Sequence, residues 1–125
     1  MKKITGERAL FTVLVLTLLV GTLMPGSVKS DIEVRLSSAV PWSALAHFTL
    51  FGAIAALPVY GPGLGGTGRA LLLAVALAAS TELLQSWVPG RHPLMRDALI
   101  DLSGALAGLA LRSLWLLQAR QPQGV

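Results

Sequence analysis

Four apolar runs, roughly residues 9–24, 42–60, 69–87 and 96–117, take up most of this 125-residue chain. A helix that crosses a bilayer needs about 17–25 mainly apolar residues, and each run meets or approaches that length. The reading that follows is an all-α protein, a four-helix transmembrane bundle forming a single domain over residues 1–125. Little chain is left over for a soluble catalytic domain.

Composition agrees. Hydrophobic residues make up 54% and charged residues only 13%, against an apolar share of roughly 45–50% in ordinary soluble domains. The chain has no cysteine, which excludes disulfides, thiolate metal ligands and a cysteine nucleophile. Its net charge of +4 comes from Lys and Arg scattered over helix ends and loops. No basic stripe forms, so nucleic acid is not expected as a partner.

Four spans place both termini on one face. Lys2, Lys3, Arg8, Arg69, Arg112 and Arg120 then lie on the terminal side, and Lys29, Arg35, Arg91 and Arg96 on the other. The positive-inside rule makes the terminal side cytoplasmic. Trp42 and Trp87 fall at the outer interface, Tyr60 and Trp115 at the inner one. Residues 25–41 read as an outer loop and 61–68 as a tight inner connector. Val28, Lys29 and Ser30 form a weak signal-peptide cleavage pattern, but a retained first helix fits the run better. Gly61, Gly63 and Gly66 match a nucleotide fingerprint in form only, with no preceding strand and no phosphate-loop lysine.

Within this apolar frame, His47, Glu82 and Asp101 stand about five or six residues from their helix ends. At 1.5 Å per residue that is roughly 7–9 Å below the outer interface on three different helices. Ionisable groups inside a span cost a few kcal/mol and are kept with partners or a task. Glu82 and Gln85 share a helix face continued by Ala78 and Ala74. Asp97 and Asp101 are four apart, and Gly104 and Gly108 extend their stripe as a small-xxx-small packing motif. Three carboxylates face two arginines, Arg91 and Arg96, so one carboxyl must stay neutral or find another cation.

Each residue also has a plain structural role open to it. Gln85 suits an interhelical hydrogen bond, worth about 0.6–2 kcal/mol. Asp97 in a first helical turn is stabilised by the helix dipole, and His47 beside Phe48 and Phe51 suits packing. Arg91, stiffened by Pro89, Gly90 and Pro93, fits either a snorkelling interface arginine or a fork for phosphate or carboxylate. The site reading takes Glu82, His47 and Asp101 as acid/base candidates, and Arg91, Gln85, Asp97 and Arg96 as ligand-binding candidates. Gly104, Gly108 and Ala78 are assigned to helix packing. His47, Glu82 and Asp101 make only a weak metal-ligand set, and no metal or cofactor is expected.

These residues resemble the VanZ-like family of small bacterial integral membrane proteins. The sequence ELLQSWVPGR from Glu82 to Arg91, followed by Asp97, Asp101, Gly104 and Gly108, is similar to the family's Glu-x-x-Gln, Pro-Gly-Arg, Asp, Asn and Gly pattern. His47, Phe48 and Phe51 match its His-Phe-x-x-Phe element, and Leu23 with Pro25 resembles the end of its first span. Two positions depart: Ser43 and Ala44 stand where the family commonly has Asp-Lys, and Asp101 where it commonly has Asn. A cation is lost and an acid gained. The resemblance implies the cell envelope, through a member associated with teicoplanin resistance, and carries no assigned reaction.

The leading functional expectation is a multi-pass protein of the bacterial cytoplasmic membrane that binds an anionic lipid-linked or cell-wall component and affects glycopeptide susceptibility. Catalysis is not the favoured reading. The alternatives are a small intramembrane enzyme acting on an envelope lipid, a transporter or proton relay, and an assembly role. Membrane lipids and a homo-oligomer are the other expected partners.

Overall fold

The computed structural model describes residues 2–36 and 39–120. Among them run five α-helices: α1 (Lys2–Leu23), α2 (Gly26–Arg35), α3 (Trp42–Ala56), α4 (Gly63–Gln85) and α5 (Met95–Ala119). A 3-10 turn at Pro58–Tyr60 follows α3, and the described residues contain no strand. The α1, α4 and α5 helices are long and apolar enough to cross a membrane; α3 is apolar but only 15 residues long.

Helix α3 ends four residues before the limit expected for the second span, residues 42–60. Leu57 precedes Pro58 and is extended, with φ −62° and ψ 141°, because the proline ring disfavours helical backbone in the residue before it. The chain turns inward there, and Tyr60, expected as an interface anchor, is buried. Its hydroxyl donates to the Ile54 carbonyl at 2.7 Å, and its ring meets Phe11 of α1 edge to face at 6.3 Å.

Two connectors also differ from expectation. Residues 25–41 contain α2, which no proline or glycine interrupts between Ser27 and Leu36 and which carries a Lys29–Glu33 pair at 3.9 Å. Val28, Ile32 and Leu36 lie exposed on it at four-residue intervals, the spacing of one helix face. The inner connector shrinks to Gly61 and Pro62, because Gly61 makes the turn at φ 87° and α4 starts at Gly63.

Packing rests on small residues. The buried face of α4 is Gly66, Ala70, Ala74, Ala78, Thr81 and Gln85. Against α3, helix α5 comes into backbone contact: a Cβ on Gly104 would stand 2.2 Å from the Phe48 carbonyl oxygen, and one on Gly108 2.0 Å from that of Gly52. The expected glycine stripe is therefore filled by α3 of the same chain. Phe51, Ile54, Ala55 and Ala105 complete the centre. Many large apolar side chains point outward instead, Leu72, Leu83, Leu106, Leu111 and Leu114 among them. Such an exterior is a liability in water and a match for hydrocarbon.

Candidate functional site

The helices bring the expected polar residues to one end of the molecule. His47 Nδ1 on α3 lies 2.8 Å from Asp101 Oδ1 on α5. Asp101 is fully buried, and its Oδ2 has no hydrogen-bond partner. The close approach of α3 and α5 along their glycines makes this contact possible, since Gly104 meets Phe48, the neighbour of His47, and Asp101 lies about one turn before Gly104. With its proton on Nδ1, a histidine keeps its Nε2 lone pair for another partner.

Arg91 arrives from the loop between α4 and α5. Gly90 takes φ 73°, and the Pro89 carbonyl accepts from the Gly26 amide at 3.2 Å. A Cβ on Gly26 would stand 2.2 Å from the Gly90 oxygen, so the loop is seated on the corner between α1 and α2. From that seat Arg91 Nη2 donates to the Gly21 carbonyl at 3.3 Å. The acceptor belongs to the last turn of α1, where carbonyls lack helical partners and the dipole favours a cation. Arg91 Nε is buried without a partner.

Three cavities meet at this corner. The largest, about 670 Å³, is bordered by Arg91, Gln85, Asp97 and Arg96, the four residues expected to bind a ligand, together with Lys29 and Glu33 of α2. On its wall three side chains of Lys and Arg, Lys29, Arg91 and Arg96, stand against two carboxylates, Glu33 and Asp97. A small pocket of about 20 Å³ leads from Gln85, Asp97 and Arg91 to His47. A third cleft, about 330 Å³, runs between α1 and α3 past Leu18, Met24, Ile32 and Leu50 to His47 and Arg91. Lys29, Ser43 and Arg91 border all three.

Asp101 stands behind His47 and reaches none of these cavities. Glu82 is half-buried on α4, within electrostatic range of Asp97, Asp101, His47 and Arg91, but it borders no cavity described here. Among the described residues, His47, Glu82 and Asp101 form no group that could hold a metal ion. Asp97 lies in the first turn of α5 as expected, without a side-chain capping bond.

Sequence reasoning missed α2 as a wall of the site, and with it Lys29 and Glu33. The polar pair at four-residue spacing beside Val28 and Ile32 was the available signal. Lys29 also supplies a cation beside Ala44, where the family resemblance leads one to expect a lysine. Arg112, expected at the membrane edge, is instead buried near the opposite end of α5.

A helical exterior suited to lipid, around a polar site with a histidine–aspartate pair and an anchored arginine, defines a membrane protein with an internal polar cavity. The family model described as VanZ/LLP1 matches residues 11–116, and the chain belongs to the VanZ-like family. No curated protein and no solved structure matches it.

Proposed function

We propose that this is a four-span protein of the bacterial cytoplasmic membrane, with both termini cytoplasmic, whose outward cavity binds an anionic lipid-linked or cell-wall component and thereby alters glycopeptide susceptibility. One observation carries the reading: Arg91 borders both the polar cavity of about 670 Å³ and the apolar cleft of about 330 Å³. An amphiphile needs that junction. Its phosphate or carboxylate meets the guanidinium, its polar head occupies the cavity roofed by α2, and its hydrocarbon follows Leu18, Ile32 and Leu50. The net positive wall favours an anion, and a planar guanidinium offers paired donors to its oxygens. The exposed Val28, Ile32 and Leu36 face suits α2 to the membrane surface, where it covers the site.

Wild type and Arg91→Ala, expressed at equal membrane levels in a glycopeptide-sensitive host, test the role. Wild type is expected to shift susceptibility and the variant to fall back toward empty vector. Identical susceptibility in all three contradicts the reading.

The His47–Asp101 contact favours one second reading, an intramembrane enzyme in which His47, oriented by Asp101, moves a proton to or from the bound headgroup. Loss of a lipid modification in His47→Gln, with headgroup binding retained, supports it. An unchanged lipid profile leaves binding alone.

A further inference from the structure

Arg112 is a buried cation with no counter-charge among the described residues. It is 5% exposed, its Nη2 donates to the Gly61 carbonyl, and its guanidinium carbon lies 5.9 Å from the centre of the Tyr60 ring. Nε and Nη1 are buried with no hydrogen-bond partner. Among the described residues the ion pairs are Lys29–Glu33 and His47–Asp101, and neither involves this end of the molecule. A buried guanidinium left in this state is unfavourable, because burial removes its water without replacing the lost hydrogen bonds.

The surroundings add positive potential. Arg69 Nη1 donates to the Tyr60 carbonyl at 2.9 Å, so two arginines converge on successive carbonyls of one turn. Helix α4 starts at the same turn with no side-chain cap and no acidic residue in its first turn. The positive end of its dipole is therefore not offset by an acidic side chain in that turn. Gly66, in that first turn, makes the approach possible: a Cβ there would stand 2.8 Å from Arg112 Nη2 and 2.0 Å from the Gly61 oxygen. Beside Arg112 opens a cleft of about 480 Å³ walled by Ala56, Pro58, Trp115 and Leu116. The corner thus combines anion donors with an apolar wall that includes an exposed tryptophan.

We propose that this corner binds the phosphate of an anionic membrane phospholipid, in the leaflet opposite the Arg91 cavity. The phosphate oxygens accept from Arg112 at this cleft, and the positive end of the nearby α4 dipole adds to the attraction. The acyl chains lie along Trp115 and Leu116. Membrane placement is taken from the proposed function, but the site does not depend on what the Arg91 cavity binds.

The test uses the full chain purified in detergent, as wild type, Arg112→Gln and, as the control for an exposed arginine outside both sites, Arg35→Gln, with phosphatidylglycerol, phosphatidylcholine or inorganic phosphate added. Lipid retention is read by native mass spectrometry and stability by melting. Wild type and Arg35→Gln are expected to retain phosphatidylglycerol over phosphatidylcholine by about fivefold, one arginine's share of attraction to an anionic headgroup. Arg112→Gln loses that preference. An equal preference in Arg112→Gln overturns the site. A gain produced fully by inorganic phosphate, and lost in Arg112→Gln, keeps the anion site and overturns its lipid occupant. A photoreactive phosphatidylglycerol on wild type gives an answer even if the variant does not fold: crosslinks within residues 56–62 or 112–116 support the site, and crosslinks confined to other segments overturn it.

Discussion

His47 and Asp101, 54 residues apart in the chain, meet at 2.8 Å between Nδ1 and Oδ1. Asp101 is fully buried there, so the contact decides whether its carboxyl is satisfied or orphaned. Asp101→Ala is expected to destabilise the protein by about 1–3 kcal/mol, because it strands His47. Asp101→Asn keeps an acceptor for the ring and is expected to cost less than half as much. A double-mutant cycle of His47→Ala and Asp101→Ala, read by unfolding in detergent, should give a coupling of about 0.6–2 kcal/mol. Strictly additive losses would show that the contact contributes nothing.

The α3–α5 crossing makes a second prediction. Gly108→Ala places a Cβ 2.0 Å from the Gly52 oxygen, and relief requires the helices to separate. A loss of about 2–3 kcal/mol is expected, in the upper part of the usual range for overpacking. Gly6→Ala is the control, since nothing lies within 4 Å of its added methyl. That change is expected to be neutral or stabilising by up to about 1 kcal/mol from helix propensity. Melting temperatures of the two variants check the contrast, and similar values would contradict the backbone contact.

Gly26→Ala acts on Arg91 from a distance. The new methyl would stand 2.2 Å from the Gly90 oxygen, forcing the loop off the corner between α1 and α2. The variant is expected to fold, since Gly26 is only half-buried, and to show the same susceptibility phenotype as Arg91→Ala. A wild-type phenotype at equal expression would show that the seat of the loop does not matter.

Topology has its own test, helped by the absence of cysteine. Ser86 and Gly65 are both exposed, and each accepts a cysteine. In intact cells a membrane-impermeant maleimide is expected to label position 86 and spare position 65. The reverse pattern would turn the Arg91 cavity toward the cytoplasm.

How much of this was legible in the sequence differs from residue to residue. The helical class followed from run length. The buried faces followed from spacing: Ala74, Ala78 and Gln85 line up on α4, as do Asp101, Gly104 and Gly108 on α5. Depth counting along the helices brought His47 and Asp101 to one level, and they touch. Counting along a helix does not say which neighbour a face meets, so the glycine stripe left a homodimer as open as an intrachain contact. Nor does it give rotation about an axis, so Glu82 was counted with Asp97 although only Asp97 borders the cavity. Polar composition hid α2, because its few apolar residues form no continuous run. Arg112 counted as an edge charge, because its burial depends on Gly66 and the Tyr60 turn, both remote in sequence.

The central claim is that Arg91 holds the anionic head of an amphiphile. The most direct measurement is binding of a polyprenyl phosphate to the purified wild type and Arg91→Ala, followed by native mass spectrometry, with Arg35→Gln as the control for loss of an exposed arginine outside both sites. Wild type and Arg35→Gln should bind alike, and Arg91→Ala about tenfold more weakly, the loss expected for one charged hydrogen-bonded contact. Equal binding by wild type and Arg91→Ala would contradict the account.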